Sequence, residues 1–366
     1  MLTFSTLGPY QWINNMTWIM LVAGLTLLIV GAELLVKGAA RLATSFGIPA
    51  LVIGLTVVAF GTSAPELAVS IKAAFSGQAE LAIANVVGSN IFNILFILGV
   101  AALIMPLVVS KQLIRQDVPI MIGISILALV MIQDGVIVKL EASILCIGVI
   151  LYTFFLFYQG KKIGAESSNT TVEIAAPVWL NIIFIVTGLA LLILGSRWLV
   201  ESAVNIASSF GVSEVVIGLT IVAVGTSLPE VVTSIVATLK GERDIAIGNV
   251  VGSNIFNILA VLGISGLFSP TPLLASEQLI HIDIPVMVAV ALICLPLFFM
   301  GSTLNRFEGF LFLVIYIGYV WYTVAMALSL HYLPQLQMGL LYGLGPLIGF
   351  YVGLCLFKDL LKRRYL

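Results

Sequence analysis

Hydrophobic residues in this chain neither alternate with polar ones nor keep to a single stripe; they fill whole stretches. A spanning helix needs about 20 mostly apolar residues. Charged or Pro/Gly breaks divide the sequence into eleven such stretches, near 18–37, 48–75, 80–108, 117–133, 140–159, 178–204, 212–239, 244–269, 282–301, 308–329 and 337–357. A membrane β-barrel would instead show alternating segments of about ten residues. The pattern predicts an all-α integral membrane protein. The first stretch follows 17 residues without a basic side chain and lacks a small-residue cleavage site, so it reads as a retained helix.

Charge distribution gives an orientation. Lys37, Arg41, Lys111, Arg115, Lys161, Lys162, Lys240, Arg243, Arg306 and the basic residues of the C-terminus fall in loops on one side. Only Lys72 and Lys139 fall clearly on the other. The positive-inside rule then places the N-terminus outside and the C-terminus in the cytoplasm, which an odd number of helices permits.

A shift of 164 residues aligns 31–99 with 195–263, with 39 identities in 69 positions. NVVGSNIFNIL at 85–95 recurs unchanged at 249–259, GLT at 54–56 recurs at 218–220, and GTSAPE at 61–66 becomes GTSLPE at 225–230. Five helices per repeat force the second copy into the membrane upside down, an arrangement typical of secondary transporters with a site near the midplane. The expected layout is a first half at 18–159 (helices 1–5), a cytoplasmic linker at 160–177, an inverted second half at 178–329 (helices 6–10) and an additional helix 11 at 337–357.

What repeats most faithfully is polar, which packing alone would not require. Glu66 and Glu230 occupy equivalent positions in apolar helices, where an acidic side chain costs at least about 2.5 kcal/mol. No basic residue lies in either motif. Pro65 and Pro229 remove a backbone donor, freeing carbonyls near Gly61 and Gly225 as potential ligands. Residues three or four apart share a helix face, so Thr62 and Ser63 lie beside Glu66, and Ser89 and Asn90 beside Asn93. Thr226, Ser227, Glu230, Ser253, Asn254 and Asn257 repeat the arrangement. Asn90 and Asn254 read as interhelical hydrogen bonders. All these donors are oxygens, which selects a hard cation and suits calcium better than magnesium; thiol and imidazole ligands for zinc, copper or iron are missing.

Composition agrees. Of 366 residues, 61% are hydrophobic and 9% charged, with a mean hydropathy of +1.19, against about 25% charged in soluble domains. A soluble globule, a nucleic-acid binder and a disordered chain are excluded. Cys146, Cys294 and Cys355 lie in apolar stretches, so no disulfide is expected. Glu33 and Arg197 are repeat equivalents of opposite sign, suited to interfacial anchoring or gating. Asp117, Asp283 and His281 sit at stretch ends and read as solvated caps, and the sequon-like Asn169-Thr170-Thr171 falls in the cytoplasmic linker.

The paired GTSAPE and GTSLPE helices, each followed by NVVGSNIFN, resemble the alpha-repeats of the cation/calcium exchanger superfamily, and most closely prokaryotic sodium/calcium antiporters. The likeness covers both repeats. It implies calcium binding by Glu66, Glu230, Thr62 and Thr226. It implies sodium binding by Ser63, Ser89, Ser227, Ser253, both glutamates and the main-chain oxygens of Ala59 and Ala223, with Asn93 and Asn257 completing the polar centre. Several relatives, including potassium-dependent exchangers, carry Asp where this chain has Asn257, which weakens any potassium co-transport. The expected function is sodium/calcium antiport by alternating access, with the first and sixth helices sliding against the bundle; proton/calcium exchange on the same scaffold is the alternative. A hydrolase would want an activated nucleophile, and Ser63 and Ser227 have no His nearby in sequence. No enzymatic activity and no cofactor are expected. The partners are calcium, sodium and the lipid of the cell's inner membrane, with no nucleic acid, and a monomer suffices.

Overall fold

The structure, a computed structural model, describes residues 9–166, 177–210, 221, 223–299, 301–347, 349–351 and 353–354. The repeated GLT at 218–220, most of the linker with Asn169, Cys355 and the end of the eleventh stretch lie outside the described residues. The expected helical membrane architecture is present: among the described residues eight helices are long and apolar enough to cross a bilayer, and a bent pair makes a ninth. The seventh stretch contributes Leu228–Leu239, and the residues expected to begin it lie mostly outside the described set.

The first half contains α1 (Pro9–Phe46), α2 (Ala50–Ile53), α3 (Ala59–Thr62), α4 (Ala64–Phe75), α5 (Ala79–Phe92), α6 (Gly99–Ile104), α7 (Val118–Met131) and α8 (Lys139–Glu166). The second contains α9 (Val178–Ser209), α10 (Ala223–Gly225), α11 (Leu228–Leu239), α12 (Arg243–Phe256), α13 (Gly263–Phe268), α14 (Ile284–Phe299) and α15 (Arg306–Ala327), followed by α16 (Leu333–Met338). Beyond the interruptions expected at Pro65 and Pro229, several spans contain wide π-helical turns, at Gly54–Val58, Asn93–Leu98, Leu113–Asp117, Asn257–Leu262 and Leu279–Asp283. Such turns loosen the regular ladder and are frequent at functional sites; apolar stretch length carries no signal for them.

Two short antiparallel ladders tie the halves together, Leu107–Val108 with Thr303–Leu304 and Val136–Ile137 with Leu273–Leu274. Leu107, Ile137, Leu273 and Leu304 point into the core while Val108 and Leu274 face outward, the period-two signature of a strand.

Burial decides which helices are central. The apolar window of the Arg243–Phe268 span is 100% buried, that of Ala79–Ile104 72%, and that of Arg306–Ala327 only 17%. The two helices carrying NVVGSNIFN therefore form the axis of the bundle, and α8 and α15 its lipid-facing rim, where Leu151, Phe154, Ile317 and Trp321 are exposed. α1 and α9 run against each other over much of their length. Their backbones approach through glycines: a Cβ on Gly31 would lie 2.8 Å from the Gly188 carbonyl oxygen, and one on Gly188 2.7 Å from that of Gly31. Small residues permit such contact between membrane helices.

Candidate ion-binding site

Each repeated motif breaks its helix just before the proline. Ser63 sits at φ −79°, ψ 6° between α3 and α4, and Ser227 at φ −87°, ψ 7° ahead of α11. Across the first break the axis bends by 43°. Pro65 and Pro229 occupy the first turn of the following helix, where a missing N–H costs nothing. Each glutamate thus starts a new helix in the middle of the protein, and both are 0% exposed.

The serine of one break reaches the glutamate of the other. Ser63 Oγ donates to Glu230 Oε1 at 3.0 Å, and Ser227 Oγ donates to Glu66 Oε1 at 2.8 Å. Ser227 also lies 3.2 Å from Ser89 Oγ. The described residues hold no ion pair to either carboxylate, and a buried unpaired charge is strongly unfavourable. Among buried side-chain atoms with no hydrogen-bond partner are Glu66 Oε2, Glu230 Oε2, Asn93 Oδ1, Asn257 Oδ1 and Ser253 Oγ. These are oxygens with free lone pairs, the chemistry that accepts a hard cation.

The remaining expected residues take specific places. Thr62 is buried and Thr226 half-buried. Ala59 is buried, and its carbonyl accepts from Ser63 N at 3.1 Å and lies 3.3 Å from Thr62 Oγ1. Ala223 begins α10, immediately before the second break. The Gly225 carbonyl was expected to be released as a ligand, yet it accepts from Ser196 Oγ at 2.7 Å and is satisfied within the protein.

Asn85 and Asn249, the first residues of the duplicated eleven, are not among the expected site residues, yet both hydrogen-bond to the glutamate helices. Asn249 Nδ2 donates to the Glu230 main-chain oxygen at 3.3 Å and to Ser234 Oγ at 2.9 Å, while its Oδ1 accepts from Thr62 at 3.0 Å. Asn85 does the same with Glu66 O, Ser70 and Thr226, at 3.2, 2.9 and 3.5 Å. Each asparagine ties the start of a glutamate helix to the threonine of the other motif. Exact identity of Asn85 and Asn249 across the repeats was the available signal.

Asn90 and Asn254 are interhelical hydrogen bonders as expected, each donating to the other's carbonyl. The reading of Asp117 and Asp283 as solvated caps is wrong. Asp117 is 0% and Asp283 6% exposed. Tyr152 and Gln112 donate to Asp117 at 3.3 and 3.4 Å, and Tyr319 and Gln278 to Asp283 at 2.9 and 3.2 Å. The wide turns ending at these aspartates carry them inward. His281 is exposed and pairs with Glu277 at 2.9 Å. Glu33 pairs with Lys240 at 3.4 Å.

A profile of the sodium/calcium exchanger protein family matches residues 16–159 and 180–325. The inner membrane protein YrbG of Escherichia coli is 39% identical over 284 residues, covering 75% of this chain and 87% of that protein. The sodium/calcium exchanger MaX1 of Methanosarcina acetivorans is 35% identical over 344 residues, covering 84% of this chain and 98% of that one. Among solved structures, the sodium-calcium exchanger NCX_Mj superposes with a TM-score of 0.73 at 32% identity, covering 85% of this chain and 98% of the other. With the fold, the duplicated motifs and these likenesses in agreement, the chain belongs to the sodium/calcium exchanger protein family, multi-pass membrane transporters and not enzymes.

Proposed function

We propose that the protein is a sodium-driven calcium antiporter of the inner membrane, working by alternating access. The observation that carries this reading is the crossed pair of buried glutamates, each held through one oxygen by the other motif's serine, with the second oxygen unpartnered. Two carboxylates balance one divalent ion or two monovalent ions. A dry site that holds either but not both couples their movements, because the empty, doubly charged site resists crossing the membrane.

In this reading Glu66, Glu230, Thr62 and Thr226 bind calcium. Ser63, Ser89, Ser227, Ser253 and the main-chain oxygens of Ala59 and Ala223 serve sodium with the glutamates, and Asn93 and Asn257 complete the centre. Ala59 O already carries internal hydrogen bonds, so its sodium role requires Thr62 to turn away. The halves 18–159 and 178–329 act as inverted repeats around the site, with α1 and α9 sliding as a pair. The N-terminus lies outside and the C-terminus in the cytoplasm, and one chain suffices.

The test is radiocalcium flux into liposomes containing the purified chain under imposed sodium, potassium or proton gradients. Uptake driven by an outward sodium gradient is expected. Uptake driven by a pH jump without sodium would replace this reading with proton/calcium exchange, and conductance in single-channel recordings would replace it with a channel.

A further inference from the structure

We propose that Asn90 and Asn254 are positioning residues that fix which end of the Asn257 and Asn93 amides faces the transported cation. The inference rests on the site reading given above, in which those amides take part in binding.

An asparagine side chain carries an oxygen that only accepts and a nitrogen that only donates, and the two ends have nearly the same shape. Its surroundings decide which way it points. Here the decision starts at a group whose polarity is beyond choice. The main-chain carbonyl of Asn254 only accepts, so the atom of Asn90 lying 3.1 Å from it is Nδ2. That places Asn90 Oδ1 at the other end of the amide. The atom of Asn257 lying 3.0 Å from that oxygen must donate, so it is Nδ2. Asn257 Oδ1 is thereby turned away from Asn90, and it is buried without a hydrogen-bond partner.

The same sequence of constraints runs through the other half. Asn254 Nδ2 donates to the Asn90 carbonyl at 3.3 Å, Asn254 Oδ1 accepts from Asn93 Nδ2 at 3.1 Å, and Asn93 Oδ1 is left unpartnered. All four side chains are at most 1% exposed, so water cannot relax the orientation. Met287 Sδ and Met121 Sδ lie 3.7 Å from the amide nitrogens of Asn90 and Asn254, soft acceptors that agree with nitrogen at those ends.

Reversing Asn257 would set two oxygens against each other at Asn90 and turn N–H groups toward a cation. The wide turn starting at Asn257 packs against α4, which carries Glu66, and the one starting at Asn93 packs against α11, which carries Glu230. Two backbone carbonyls on the central helices thus dictate the polarity of two amides beside the carboxylates. An aspartate presents an oxygen to the cation whichever way it turns, and its other oxygen would meet Asn90 Oδ1 as one acceptor against another. The dependence on Asn90 is therefore a consequence of this chain having Asn at position 257.

The test compares calcium binding, by equilibrium dialysis of the purified full chain with radiocalcium, for the native protein, Asn90→Ala, Asn257→Asp and the double variant, each eluting as a monodisperse peak. Asn90→Ala is expected to weaken calcium binding about tenfold when residue 257 is Asn and to leave it unchanged or strengthen it when residue 257 is Asp, because Asn90 Oδ1 then faces a second acceptor. Equal weakening in both backgrounds, or none in the native one, overturns the proposal. Asn254→Ala with and without Asn93→Asp repeats the comparison on independent variants, and the same two outcomes apply should Asn90→Ala fail to fold. Asn257→Ala separates this inference from the site reading beneath it. If that variant binds calcium like the native chain, Asn257 leaves the site and this proposal goes with it, while the assignment to Glu66 and Glu230 stands.

Discussion

Ser227 gives its hydroxyl hydrogen to Glu66 at 2.8 Å, although 161 residues of chain separate them. Ser63 does the same for Glu230 at 3.0 Å. The two broken helices are therefore joined at their most polar point, each serine sitting one turn ahead of a glutamate it does not serve. A cation drawing on the serine oxygens and both carboxylates would bridge the two motifs and feel any change in how they are held.

Replacing either glutamate by glutamine removes one of the two charges available to balance a divalent ion in a dry site. Losing one partner of a buried charge pair costs about 3–5 kcal/mol, so Glu66→Gln and Glu230→Gln are expected to lose sodium-dependent calcium uptake by roughly a hundredfold or more. Radiocalcium flux in vesicles measures this, and full transport in either variant defeats the site assignment.

Ser227→Ala removes a hydrogen bond to a carboxylate, a contact worth about 1.5–3 kcal/mol. Half-saturating sodium and calcium concentrations should each rise about tenfold, with the protein still folded. Because Ser89 also touches Ser227 and no such partner holds Ser253, Ser63→Ala and Ser227→Ala are expected to differ in size. Identical shifts would mean that this asymmetry has no effect on binding.

The contact between α1 and α9 tolerates no side chain at its closest points. A Cβ at Gly188 would lie 2.7 Å from both the Gly31 oxygen and the Leu35 nitrogen, so Gly188→Leu forces the helices apart. Overpacking costs about 1–3 kcal/mol. Thermal unfolding in detergent should fall by several degrees and flux should drop with it; an unchanged midpoint would show that the pair is looser than its geometry.

Tyr152→Phe takes a hydrogen-bond donor from a fully buried carboxylate, Asp117. Leaving such a group short of a partner costs about 1–3 kcal/mol. The exposed Glu33–Lys240 pair is a contrast, since ion pairs at exposed positions contribute about 0–1 kcal/mol. Unfolding midpoints should therefore fall for Tyr152→Phe and barely move for Glu33→Gln. The reverse order would show that Asp117 is better satisfied than its hydrogen bonds indicate.

Much of this protein could be read from one dimension. The apolar stretches required helices, because a lipid-embedded backbone must satisfy its own hydrogen bonds. Duplication of GTS-x-PE and NVVGSNIFN marked two equivalent polar centres, because acids in apolar helices persist only with a purpose. Pro65 and Pro229 announced the helix breaks through a missing N–H.

Other features depended on partners far away in sequence. Asp117 looks like an exposed cap in sequence and becomes fully buried because a wide turn and Tyr152, on another helix, meet there. Gly225 frees a carbonyl that Ser196 then occupies. Asn85 and Asn249 acquire a role only when each helix finds the opposite threonine. Sequence determined which groups could not be left in lipid, since that follows from the local cost of burying polarity. The tertiary structure alone decided which of them satisfy one another and which oxygens remain free, since hydrogen-bond polarity is settled by neighbours that only folding brings together.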